Sequence, residues 1–327
     1  MDHFSLPKGK VHLQVPNLTL EAYTPGLGDF EGYPARKGWN PEDIAGHNSF
    51  GARRPEEVQS FFQNWLYFGC AIEVLAIPGI EVRQSDLLDE TCRFVSTRRL
   101  PRLIRRWREK VDQLGGKASR THIEWAMKTA LILKQVSDFV DVYCLPYYGA
   151  RATARPEGTP SPVSELTWMS IIAMGHTLGE AMIAYYKIVR TGNHWGASRL
   201  LKRRLLNKGW CPMDVERSMT DIGIDGHYYL ARMERTEANI SHKYCSESEC
   251  TARNVDRDTY QQKHVRRSGD CGGEVKADVP TVVEIIKTPG HVPVFRWDPR
   301  RKELEIKSSH MIRRGSSDPP FVAISHV

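Results

Sequence analysis

The chain has 327 residues, 40% of them hydrophobic and 26% charged, which is the composition of a globular protein with enough length for one large or two ordinary domains. The formal net charge is +7, and the window "RFVSTRRLPRLIRRWREK" at 93–110 carries eight basic residues against one acidic, so the whole excess is local. No apolar run opens the chain. The longest greasy stretch, "LTWMSIIAMGHTLGEAMIAYY", is interrupted by His176 and Glu180, so neither a secretory signal nor a membrane span is expected, and a cytoplasmic protein is.

In chain order, residues 1–54 are rich in Pro and Gly and read as an extended arm lying over the domain surface. From Pro55 the pattern becomes helical. Val58, Phe61, Phe62, Trp65, Phe68 and Ile72 recur at three- and four-residue intervals, and Pro55 with Glu56 and Glu57 suits a first helical turn. Further helices are expected at about 101–113, 121–143 and 164–189, with a loop over 154–164 between the last two. In the basic window, Leu103, Ile104, Trp107 and Val111 fall on one helical face. That leaves the arginines as a solvated surface, or alternatively as phosphate contacts through Arg98, Arg99, Arg102, Arg105 and Arg106. The stretch "SRLLKRRLLNKGWCPMDVERSM" reads helix, stop, helix, with Gly209 as the left-handed cap and Pro212 opening the second helix. The fold class is therefore mainly α, with a helical domain over 55–240.

A polar segment follows at 241–280. It holds three of the seven cysteines and two of the twelve histidines within thirty residues, "HKYCSESECTARNVDRDTYQQKHVRRSGDC". Cys245, Cys250, His264 and Cys271 form C-x4-C-x13-H-x6-C, two pairs of thiolate and imidazole ligands such as tetrahedral zinc takes. His242 is a fifth candidate. A segment so poor in aliphatics has little else to order it, so a small zinc-stabilised segment is expected, with the metal structural because four protein ligands leave no place for water. The other cysteines, Cys70, Cys92, Cys144 and Cys211, read as plain buried thiols. Over 281–327 the pattern turns to β: "TVVEII" reads as a strand, and "HVPVFRW" and "KELEIKS" as a short hairpin around "DPRR".

Catalytic signatures are weak. Asp86, Asp89 and Glu90 in "DLLDE" read as solvated charge rather than a cation site, and His176 with Glu180 as a buried hydrogen-bonded pair rather than an acid/base couple. No Walker loop, nucleophile elbow or dinucleotide fingerprint is present.

Taken together, "DFEGYPARKGW", "FFQNWLYFG", "LLKRRLLNKGWCPMDVERSM", "SHKYCSESECTARNVDRDTYQQKH" and the terminal "FVAISHV" resemble the N-terminal region of fungal heterokaryon-incompatibility (HET) domain proteins. In that family the last motif opens the HET domain and continues into a tryptophan. The family often closes its cysteine segment with Cys-x-Cys, whereas here Cys271 is followed by Gly272 and Gly273, which strengthens His242 as a reserve ligand. The resemblance implies a regulatory or recognition module in fungal non-self recognition and regulated cell death, with a protein partner, placed before an effector. HET domains are similar to TIR domains, some of which hydrolyse nicotinamide dinucleotides, and by the resemblance that active site would lie beyond Val327. The leading expectation is thus a non-catalytic, zinc-stabilised module. The alternatives are an enzyme with its pocket in the helical domain near His176, Glu180 or Asp86, or a nucleic-acid-binding protein using the basic window.

Overall fold

A computed structural model describes residues 1–26, 29–40, 44, 50, 53–114, 119–144, 161, 163–187, 195, 197–234, 241–252, 277–301 and 303–310. The chain divides into two compact units, Met1–Asn254 and Val255–Val327. The first is helical. The described part of the second, 277–310, is one helix and a hairpin.

The first unit begins with the arm, which carries the short strand β1 (Val15–Pro16) and the helical turn α1 (Tyr33–Arg36). A long helical rod follows in three windings: α2 (Pro55–Phe62), a π-helical stretch (Gln63–Gly69) and α3 (Cys70–Ala76). Pro55 sits in the opening turn, and Glu57 reaches back to the amide of Arg54, closing the N-terminus. The predicted aromatic stripe from Val58 to Ile72 is buried throughout. Over the π-helical stretch, however, all seven residues are buried, so this part of the rod has no solvent face.

The arm covers the side that would otherwise face water. Extended chain lying on a helix has no ladder for its backbone groups, and here polar side chains of the rod and the loop after it take that role. Gln63 accepts from the amide of Leu18 (2.7 Å) and donates to the carbonyl of Pro16 (2.9 Å). Ser60 accepts from Leu20, Asn64 donates to the carbonyl of Glu21, and Gln84 accepts from the amide of Tyr23. Glu73, itself buried, accepts from the Tyr23 hydroxyl (3.1 Å) and the Gly26 amide (2.7 Å). Gly69 makes the approach possible, since a Cβ there would stand 2.6 Å from the Tyr23 ring. The arm in turn buries Tyr23, Phe30, Tyr33 and Trp39, with Trp39 stacked on Phe61 at 3.9 Å between centroids. The arm is therefore part of the core rather than a surface covering. β1 pairs antiparallel with β2 (Phe94–Val95).

α4 (Leu100–Asp112) packs on α6 (Glu165–Tyr186), which together with α5 (Arg120–Tyr143) lies against the rod, all close to their predicted limits. Ser119 and Ser164 cap α5 and α6 by accepting from His122 and Thr167. Of the expected loop at 154–164, residues 154–160 and 162 lie outside the described residues. α4 buries Leu103, Trp107 and Val111, and the Trp107 indole donates to the Tyr186 hydroxyl (3.1 Å), fixing α4 against α6. Its arginines at 102, 105, 106 and 108 point outward.

The helix–stop–helix reading holds in detail. α7 (Arg199–Asn207) is capped by Ser198, Gly209 takes φ +76°, and α8 (Pro212–Asp221) starts with Cys211 at the cap position and Pro212 in the first turn. α9 (Ile224–Leu230) buries Tyr228, whose hydroxyl accepts from the amide of Leu13 on the arm.

In the second unit the stretch "TVVEII" lies within a helix, α10 (Val279–Lys287), which corrects the strand expectation. Asp278 caps it by accepting from Thr281, and Pro280 sits in the first turn, where a missing amide hydrogen costs nothing. Val282 and Ile285, three residues apart, are its less exposed positions, a helical interval inside a β-branched run. The predicted hairpin is present as β3 (His291–Asp298) and β4 (Glu303–His310), antiparallel, in register from His291 opposite His310 to Asp298 opposite Glu303. Asp298 closes the turn by accepting from the amides of Arg300 and Arg301. The stretch "FVAISHV" lies outside the described residues.

Candidate metal centre

The segment 241–252 folds as a compact turn at the end of the first unit. The Cys245 amide donates to the His242 carbonyl, the Ser246 amide to the Glu249 carbonyl, and the Ser246 hydroxyl accepts from the amides of Ser248 and Glu249. These bonds fold 246–249 back on itself and set Cys245 beside Cys250. Their sulfurs are 3.7 Å apart, and His242 Nδ1 lies 3.5 Å from Cys245 Sγ and 3.8 Å from Cys250 Sγ.

The fourth member comes from elsewhere in the chain. Cys211, the cap residue of α8, joins His242, Cys245 and Cys250 so that the four donor atoms all lie within 4.8 Å of one another, close enough to share one metal ion. Cys211 is buried, as read from the sequence, and it also stands within reach of the other three donors. Of the ligands expected from sequence, the structure unites Cys245, Cys250 and the reserve His242, while His264 and Cys271 lie outside the described residues. The readable signal for Cys211 was its position. A cysteine immediately before the proline that opens a helix sets its sulfur beside the first-turn amides, which act to lower its thiol even though burial raises it overall.

The electrostatics of the cluster suit a shared cation. Burial raises the Cys211 thiol, as do Cys250 and Cys245 beside it, while the amides of Asp214 and Met213 in the first turn of α8 pull the other way. At Cys245 burial also acts upward, but the His242 ring, the Thr251 hydroxyl and the amides of Ala252 and Thr251 outweigh it and bring the thiol down to about 6. One thiol is thus poised to give up its proton first, as metal binding requires of each in turn. Lys202 on α7 pairs with Glu216 on α8 (2.8 Å) and with Glu247 in the turn (2.7 Å), a second link between the turn and the helices.

The remaining cysteines differ from one another. Cys70 and Cys144 are buried, with burial pushing Cys70 up to about 12 and raising Cys144 as well. Cys92 is exposed and takes φ +57°, against the expectation of burial.

The other sequence candidates resolve into structural roles. Asp86 accepts from the amide of Arg83 and pairs with Arg99, and Asp89 accepts from the amide of Phe94 and from the Thr91 hydroxyl, so both carboxylates hold the chain around β2. His176 is only partly buried and faces Asp225 of α9, Nε2 to Oδ1 at 3.7 Å, while Glu180 is exposed. The pair is therefore not a buried one. Three surface grooves border Met213 and Glu216, Thr19 and Gln84, and Ile123 and Met127, and none of the three includes His176, Glu180 or Asp86 among its lining residues. Among the described residues no helix is long and apolar enough to cross a membrane.

Compared with models of protein families, with curated proteins and with solved structures, the chain matches none.

Proposed function

We propose that this chain is a non-catalytic regulatory or recognition module of the HET type, whose segment 241–252 is fastened to the helical body by one structural zinc ion held by Cys211, His242, Cys245 and Cys250. The observation that carries the metal reading is the spacing of the donors. Zinc with sulfur at about 2.3 Å and nitrogen at about 2.0–2.1 Å, in a tetrahedron, sets sulfur–sulfur edges of about 3.8 Å and sulfur–nitrogen edges of about 3.6 Å. The sulfurs of Cys245 and Cys250 are 3.7 Å apart, and the nearest sulfur–nitrogen distance is 3.5 Å. A disulfide needs about 2.05 Å, so the sulfurs stand at the distance of neighbouring ligands instead. Three thiolates and one imidazole favour zinc over magnesium or calcium, which take oxygen.

Four protein ligands close the coordination shell, so the ion supplies folding energy rather than an activated water. That supports a structural role, and the order of motifs along the sequence supports the HET-type context with a protein partner. The test is elemental analysis of the purified chain together with an assay for hydrolysis of nicotinamide dinucleotides. One zinc per chain and no turnover are expected. Turnover by the 327-residue chain would overturn the non-catalytic reading, and absence of zinc after zinc titration would overturn the metal reading.

A further inference from the structure

We infer that the zinc clasp is also an oxidation-sensitive latch: a hydroperoxide converts Cys245 and Cys250 into a disulfide, expels the metal and frees the turn from α8. This rests on the zinc reading above and adds its regulation. Three features of the site point to this pair. Cys245 and Cys250 lie on one short turn with their sulfurs 3.7 Å apart, so about 1.7 Å of approach forms the bond without unfolding the backbone. Both are partly exposed, whereas Cys211 is only 2% exposed, so a small oxidant in solvent reaches the pair first. Finally, Cys211 is held in the opening turn of a helix, while the pair belongs to a segment that, apart from the metal, is joined to the helices by the ion pair of Lys202 with Glu247.

The chemistry balances with the hydroperoxide as sole oxidant. One thiolate of the pair attacks the peroxide, the O–O bond breaks, and the sulfur becomes a sulfenic acid as water leaves after protonation, or the alcohol where the hydroperoxide is organic. The second thiolate attacks that sulfur, the S–S bond forms and hydroxide departs, taking a proton to become water. The peroxide is reduced by two electrons and the two thiolates are oxidised by two. The zinc ion keeps only Cys211 and His242 and passes to solvent or to a chelator.

The experiment uses the zinc-loaded full chain. Hydrogen peroxide is added in the presence of a chromophoric zinc chelator, and samples are mapped by mass spectrometry and by limited trypsin digestion at Lys243, which lies between the ligands His242 and Cys245. The expected result is release of the bound zinc, a peptide joining Cys245 to Cys250, and cleavage at Lys243 faster by about tenfold or more, all reversed by a thiol reductant with added zinc. Cys211→Ser, which leaves the pair intact, still forms the Cys245–Cys250 link. Retention of zinc under peroxide with both cysteines reduced overturns the latch and leaves the zinc reading standing. A disulfide through Cys211 overturns the assignment of the pair. A chain that takes up no zinc before peroxide is added overturns the metal reading and the latch together.

Discussion

Replacing Cys211 by serine tests the ligand set where sequence and structure part company. The structure places its sulfur within 4.8 Å of three other donors, all in the turn at 242–250. Apparent zinc binding in small modules amounts to roughly 10–16 kcal/mol, so losing one ligand of four removes about 3–4 kcal/mol and weakens binding by about two to three orders of magnitude. Chelator competition on the purified variant reads this directly. Cys70→Ser is the control, because Cys70 is just as buried but joins no metal-ligand group among the described residues. It costs about 1–3 kcal/mol of stability by burying a hydroxyl and leaves the zinc affinity alone. The same titration on His264→Ala and Cys271→Ser separates the two ligand sets. Wild-type affinity in Cys211→Ser, with loss in the other two, would refute the assignment and restore the spacing-based reading.

Three further outcomes follow from the helical unit. Glu73→Ala strands the buried Tyr23 hydroxyl and the half-buried Gly26 amide, and is expected to cost about 2–4 kcal/mol. Its signature is a lowered unfolding midpoint with faster amide exchange at 23–26, and an unchanged midpoint would oppose the role given to the arm. Burial lowers His3 to about 4 from an ordinary 6.5, with its ring held between the Thr97 and Thr177 hydroxyls. Between those values the unfolded chain binds the extra proton, so stability rises as pH goes from 4 to 6.5 and is complete above. The change is on the order of 3 kcal/mol. Denaturant titrations across that range should show the slope, and His3→Gln should flatten it. On α4, reversing the exposed Arg105 and Arg106 to Glu should move stability by no more than about 0.5 kcal/mol. A gel shift that the double variant abolishes, and that weakens steeply with salt, would favour the nucleic-acid reading instead.

What the sequence discloses and what it hides follows the range of each interaction. Helices α4 to α8 are legible because their signals are local: apolar residues at three- and four-residue spacing, a serine or a proline at the first turn, and Gly209 where the φ of +76° needs it. α10 was misread because Val282, Val283, Ile285 and Ile286 favour strands individually, whereas the cap at Asp278 and the proline after it decide the outcome jointly. The burial of the arm was hidden for a different reason. Gln63, Asn64 and Glu73 look like solvent-facing polar positions on the rod, and only the chain laid across them turns them into backbone partners. The metal centre divides along the same line. His242, Cys245 and Cys250 belong to one turn and announce themselves, while Cys211 is brought to them by the packing of α8.

That division bears on what a metal ion held by these four side chains would do for the fold. Residues 241–252 contribute none of the buried hydrophobic residues of the core, and Tyr244 is 80% exposed. The ion pair of Lys202 with Glu247 has a partner 62% exposed, and pairs of that kind contribute about 0–1 kcal/mol. Ordering twelve residues costs about 1–2 kcal/mol for each backbone unit fixed, far more than the ion pair and the internal bonds of the turn return. A shared ion would be large enough to offset that cost, and would attach the segment only if one ligand belonged to the helical body. Cys211 meets that condition. With all ligands inside the polar segment, the metal would order the segment but not attach it. With one on the cap of α8, ordering and attachment would become the same event, and removing the metal would undo both.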